Sequence, residues 1–74
     1  MNIKPNSAGI CTRVGRNIFR WRRARGKTQE VLAGLAGIDR GYLNAIEKGS
    51  QNMTIMVLEK IAIALEVTVQ DLLE

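Results

Sequence analysis

An all-α domain of five short helices, the second and third forming a helix-turn-helix, is what this sequence predicts. Three observations lead there. Apolar residues recur at the 3.6-residue spacing of a helix in successive stretches. The good N-cap residues Thr28, Asp39, Thr54 and Thr68 each stand just ahead of one of those stretches. The β-branched residues near 61–69 keep helical spacing without turn breakers, so no strand signal emerges.

Residues 1–11 contain Pro5, Asn6, Ser7 and Gly9 and show no helical period, which predicts a loosely ordered arm ahead of one domain over residues 12–74. Over residues 13–25, Val14, Ile18 and Trp21 share one helical face, and Gly26 is a suitable C-terminal cap. Trp21 and Phe19 are expected to pack in or beside the core. Thr28 caps a second helix over residues 29–36, where Glu30 suits the positive end of the helix dipole.

Gly37 breaks that helix, Ile38 offers an apolar plug, and Asp39 caps a third helix over residues 40–48 that Gly49 closes. Leu43 and Ile46 take its inner face; Arg40, Gly41, Asn44, Ala45 and Lys48 lie on or near the outer one. After a polar connection, Thr54 caps a fourth helix carrying Ile55, Leu58, Ile61, Ala62 and Leu65 in register. Thr68 with Asp71 approximates a capping box and opens a last helical turn or two holding Leu72 and Leu73.

The chain has 74 residues, 46% of them apolar, enough for one modest core and too many for a disordered chain. No apolar run approaches the roughly 18 residues of a membrane span, and the start lacks the apolar block of a signal peptide, so a soluble cytoplasmic protein is expected. The lone Cys11 cannot close an intrachain disulfide, and the absence of histidine removes both clustered zinc ligands and the commonest general base. No phosphate loop, carboxylate pair or nucleophile elbow stands out. Neither catalysis nor a cofactor, metal or small-molecule ligand is expected.

Charge placement says more than the net of +4. Residues 1–29 hold eight of the eleven bases and no acid, while the rest of the chain carries all seven acids and a net charge of −4. Arg13, Arg16, Arg20, Arg22, Arg23, Arg25 and Lys27 crowd one segment, an asymmetry that suits an anionic partner, nucleic acid by default.

Two short helices joined by a tight glycine-containing turn are the unit whose second helix enters the DNA major groove. The stretches VGRNIFRWRRARGKTQEVLAGLAGI, DRGYLNAIEKGSQN and TIMVLEKIAIALEVTVQDLL, within residues 14–73, resemble the phage-repressor-like (XRE-type) helix-turn-helix family. The run IDRGYLNAIEKGSQNMT is most similar to controller proteins of restriction-modification systems. The resemblance implies a lambda-repressor-like fold and a DNA-binding transcriptional regulator acting as a homodimer on a pseudo-palindromic operator. An antitoxin-like protein-interaction module on the same fold is the alternative.

The same resemblance implies individual roles. Arg40, at the start of the third helix, would read guanine O6 and N7 or else contact a phosphate, and Gly41 would let the backbone approach the groove. Asn44 would pair with adenine or reach a phosphate, and Ala45 would touch a thymine methyl. Gln29 would contact a phosphate and brace its neighbours; Lys48, Ser50 and Asn52 would contact phosphates; Tyr42 would do so or serve structure only. Arg22 and Glu47 would form an ion pair between the first and third helices. Val67, Val69, Leu72 and Leu73 offer an apolar surface for the dimer.

Overall fold

Each helix after the first begins at a side chain that satisfies its free amides. Thr28 accepts from Val31 N (3.1 Å), Asp39 from Gly41 N (2.9 Å) and Tyr42 N (3.3 Å), and Thr54 from Val57 N (3.1 Å). Thr68 and Asp71 bond each other's backbone N–H at 3.1 and 2.9 Å, completing the capping box. In the computed structural model, which describes the backbone from Ser7 and side chains from Gly9 to Glu74, these caps delimit α2 (Gln29–Ala36), α3 (Arg40–Glu47), α4 (Ile55–Leu65) and α5 (Val69–Leu73). They follow α1 (Ser7–Ala24), and no strand occurs among the described residues.

Helix α1 starts earlier than its sequence suggests. Residues 7–11, expected to belong to the arm, are helical, while the rest of that arm, residues 1–6, lies outside the described residues. Gly9, whose cost in a helix is about 1 kcal/mol, does not stop it. Cys11 continues the inward face one turn before Val14 and donates its thiol to Asn52 Oδ1 (3.3 Å), tying α1 to the connection after α3.

The core joins Val14 and Ile18 of α1, Leu32 and Ala36 of α2, Leu43 and Ile46 of α3, Leu58, Ile61 and Leu65 of α4, and Leu72 of α5. In this arrangement α2 packs on α3 and α4, and α1 packs on α3 and α5. Trp21 is half-buried against the core as expected. Phe19 is not: it is exposed, with the guanidinium carbons of Arg22 and Arg23 lying 5.3 and 5.6 Å from its ring centroid. Ile55 also departs from expectation at 82% exposure, because it sits in the first turn of α4 on the rim of the arc that Leu58, Ile61 and Leu65 bury.

Leu72 is wholly buried in the monomer's own core, so it cannot serve the dimer surface assigned to it from sequence. The α5 cap directs it inward, and Asn17 Nδ2 of α1 donates to its carbonyl at 3.0 Å. Val67 and Val69 are partly buried against the core, leaving Leu73 as the exposed member of that group.

Candidate nucleic-acid interface

The turn that sets α3 against α2 is built on Gly37, which takes the left-handed conformation (φ 69°) that residues with a Cβ seldom adopt. The N–H of Ile38 returns to the Ala33 carbonyl at 3.0 Å, and the half-buried Ile38 side chain plugs the turn against the core. Asp39 then restarts the chain as α3 at once. With Leu43 and Ile46 wholly buried, α3 is fixed from behind, and its opposite face carries Arg40 and Gly41, exposed, with Asn44 and Ala45 half-exposed. Sequence and structure agree on that outward set.

A buried polar network orders this face from within. Arg22, only 7% exposed, donates from Nε and Nη2 to the two carboxylate oxygens of Glu47 at 2.7 and 3.0 Å, and from Nη1 to the Lys27 carbonyl at 2.9 Å. The ion pair suggested by the family resemblance is therefore present. Gln29 Nε2 donates to Glu47 Oε1 at 3.0 Å and to Asn44 Oδ1 at 3.1 Å.

Donor and acceptor logic fixes both amides in turn. A carboxylate accepts only, so Gln29 must present its nitrogen to Glu47, and Asn44 must then present its oxygen to Gln29. The Nδ2 donors of Asn44 are left for a ligand, which favours acceptors such as phosphate oxygens or the acceptor edge of a base. The same geometry spends both side-chain donors of Gln29, so its part is to brace Asn44. A phosphate at the start of α2 would instead meet the backbone N–H groups of Gln29 and Glu30, which have no acceptor within the helix.

The residues after α3 divide in two. Lys48 is exposed and Asn52 keeps its own amide donors, its Oδ1 accepting from Cys11 and its carbonyl accepting from the Tyr42 hydroxyl at 3.3 Å. Ser50 is committed, since its hydroxyl and its backbone N–H both donate to the Ala45 carbonyl, at 3.2 and 3.0 Å, closing the end of α3. The Tyr42 hydroxyl likewise spends its one donor on Asn52, the structural side of the two roles open to it.

Two features were not visible in the sequence. A crevice of about 630 Å³ at the α1–α2 corner gathers Arg23, Lys27 and Arg40 with Thr28, Gln29 and the single acid Glu30, an excess of cations beside the free amides of α2. Arg25, counted from sequence among the anion-facing bases, caps the end of α4 instead. Its Nε donates to the Leu65 carbonyl at 2.8 Å and its Nη2 to Glu66 O at 3.3 Å, while its guanidinium lies 5.2 Å from the Trp21 ring centroid.

Two helices meeting at a capped three-residue turn, with the second locked from behind and polar in front, define a helix-turn-helix protein. The Helix-turn-helix family HTH_3 matches residues 18–72, and the chain belongs to that family. The HTH-type transcriptional regulator y4dJ of Sinorhizobium fredii is 40% identical over 55 residues, covering 74% of this chain and 71% of that protein. SinR of Bacillus subtilis, an HTH-type transcriptional regulator, is 37% identical over 62 residues; the match covers 82% of this chain and 56% of SinR. A structure of SinR, master regulator for biofilm formation, in complex with DNA superimposes with a TM-score of 0.79 over 82% of this chain and 98% of that one, at 37% identity. The restriction-modification controller protein C.AhdI from Aeromonas hydrophila gives a TM-score of 0.82 over 84% of this chain and 94% of that one, at 34% identity.

Proposed function

We propose that the protein is a sequence-specific DNA-binding transcriptional regulator of the cytoplasm, a homodimer on a pseudo-palindromic operator and a controller of a restriction-modification system. The observation that carries the reading is the outward face of α3, with Arg40 and Asn44 displayed in front of the buried Arg22–Glu47 pair and the half-buried Gln29. The network holds Asn44 in a fixed orientation before DNA arrives, which limits the ordering cost of binding at that residue. Arg40 reads guanine, Asn44 donates to an acceptor edge, and Gly41 and Ala45 permit close approach of the backbone. Lys48, Asn52, Lys27 and the first amides of α2 hold phosphates. The role needs no catalysis and no cofactor. The likeness to C.AhdI supports the controller assignment.

The partner for the dimer is a second copy of this chain. Its surface is the outer side of α4, where Met56 and Ile63 stand about 70% exposed on one side of the helix at i and i+7. A two-fold pair would set the recognition helices about 34 Å apart in successive major grooves.

Selection of bound fragments from random duplex DNA tests the whole reading. The expected product is an inverted repeat whose half-sites lie about one helical turn, 10–10.5 base pairs, centre to centre. Absence of any enriched sequence would overturn sequence-specific binding. A monomer at micromolar concentration, both free and on the selected DNA, would overturn the dimer.

A further inference from the structure

Four exposed arginines of α1 form one stripe that neither the core nor the recognition helix uses. Arg13, Arg16, Arg20 and Arg23 follow one another at intervals of three, four and three, which at 100° per residue confines them to about a quarter of the helix circumference and spreads them over roughly 15 Å. Val14, Ile18 and Trp21 lie on the other side, against the core. All four arginines are exposed, and among the described residues no carboxylate pairs with any of them. Arg23 touches the Phe19 ring, itself an exposed aromatic within the basic face.

Helix α1 contains no acid, so like charges at i,i+3 and i,i+4 repel one another, and among the described residues no carboxylate pairs with the stripe to offset them. A partner that neutralises them must be anionic and extended, since one small anion cannot span four cations set roughly 15 Å apart. The stripe is also continuous with the interface described above. At one end Arg23 lines the crevice shared with Lys27, Gln29 and Arg40. One turn from Arg16, Thr12 lies against Gly49, between Lys48 and Ser50 at the end of α3.

We infer that Arg13, Arg16, Arg20 and Arg23 bind the phosphates of duplex DNA flanking the base pairs that α3 reads. This inference rests on the DNA-binding reading and extends it to DNA outside the half-site. Such contacts supply sequence-independent affinity and a steep dependence on salt, because each phosphate neutralised releases condensed counterions. They also give the exposed arginines a task separate from base choice.

The test compares two duplexes carrying the selected operator, one ending at its outer base pairs and one extended by about a helical turn (10–10.5 base pairs) on each side. The wild-type protein is expected to bind the longer duplex more tightly and with a steeper salt slope. R13Q/R16Q/R20Q, which changes exposed side chains only, should remove most of that difference while keeping the affinity and base preference on the short duplex. Three lost contacts lower the salt slope by about 2.7, so the affinity lost between 50 and 200 mM salt becomes on the order of 40-fold smaller on the long duplex. Unchanged affinity and slope on the long duplex, with Arg40→Ala still losing base preference, would overturn the stripe and leave the DNA reading standing. Wild-type protein without salt-sensitive affinity for either duplex would overturn the DNA reading itself, and the stripe with it.

Discussion

Arg22 and Glu47 meet in a two-pronged ion pair, 2.7 and 3.0 Å, in which the buried arginine of α1 holds the carboxylate at the end of α3. Gln29 shares that carboxylate and passes the constraint to Asn44. One buried charge pair thus sets both the helix packing and the orientation of a residue on the outward face of α3.

Arg22→Ala is expected to cost about 3–5 kcal/mol of folding stability, because it strands Glu47 without its cation in a site closed to water. The apolar pair R22M/E47L should recover much of that loss. Urea unfolding of the two variants and the wild type measures both effects. A cost below about 1 kcal/mol for Arg22→Ala, the range of exposed pairs, would contradict the buried-pair account.

Gln29→Leu separates bracing from stability. Glu47 keeps Arg22, so the fold should lose only about 1 kcal/mol, the net worth of ordinary hydrogen bonds. Asn44, released from its fixed orientation, should lose preference at the base pair it faces. Affinity for a set of operators substituted at each position checks this, and an unchanged base profile would show that Asn44 is oriented by something else.

The packing of α1 on α3 depends on a residue whose role has no sequence signature. A Cβ on Gly15 would overlap the Ile46 carbonyl oxygen and approach Glu47 O to 2.9 Å, both backbone atoms that cannot rotate away. Gly15→Ala should therefore cost at least the roughly 1–3 kcal/mol of ordinary overpacking, despite alanine's better helix propensity. Thermal unfolding decides, since propensity alone predicts a more stable protein.

Much of the fold was legible because local chemistry and tertiary packing agree. Thr28, Asp39, Thr54 and Thr68 cap the helices they precede, and Leu43 and Ile46 turn inward as the period requires. Disagreements arise where a contact distant in sequence decides. Helix α1 runs past Gly9, where Cys11 meets Asn52 across 41 residues, and Leu72 is claimed by the monomer core before any partner can use it. Within the candidate site the outward set on α3 follows from helical spacing, whereas the spent donors of Gln29, Ser50 and Tyr42 depend on distances no spacing encodes. Arginine count misled for Arg25, because the carbonyls it caps at the end of α4 lie 40 residues away.

The end of α4 holds a residue in an unfavourable conformation. Glu66 takes φ 59° at the C-cap, a left-handed geometry that costs a residue with a Cβ about 1–2 kcal/mol and glycine little. Glu66→Gly is expected to stabilise the fold by about 0.5–1 kcal/mol, the gain being reduced by the greater freedom of glycine in the unfolded chain. A rise in the thermal midpoint is the readout, and a fall would mean that the Glu66 side chain makes a stabilising contact.

The most direct test of base reading by α3 is the affinity of Arg40→Ala and Lys48→Ala for the selected operator and for random duplex, each followed over a range of salt. Arg40→Ala should lose about 1–3 kcal/mol on the operator, with relaxed preference at one base pair and little change on random DNA. Lys48→Ala should weaken both alike and flatten the salt slope by about one unit, as a lost phosphate contact does. Equal losses on operator and random DNA for Arg40→Ala would contradict the claim that α3 reads bases through Arg40.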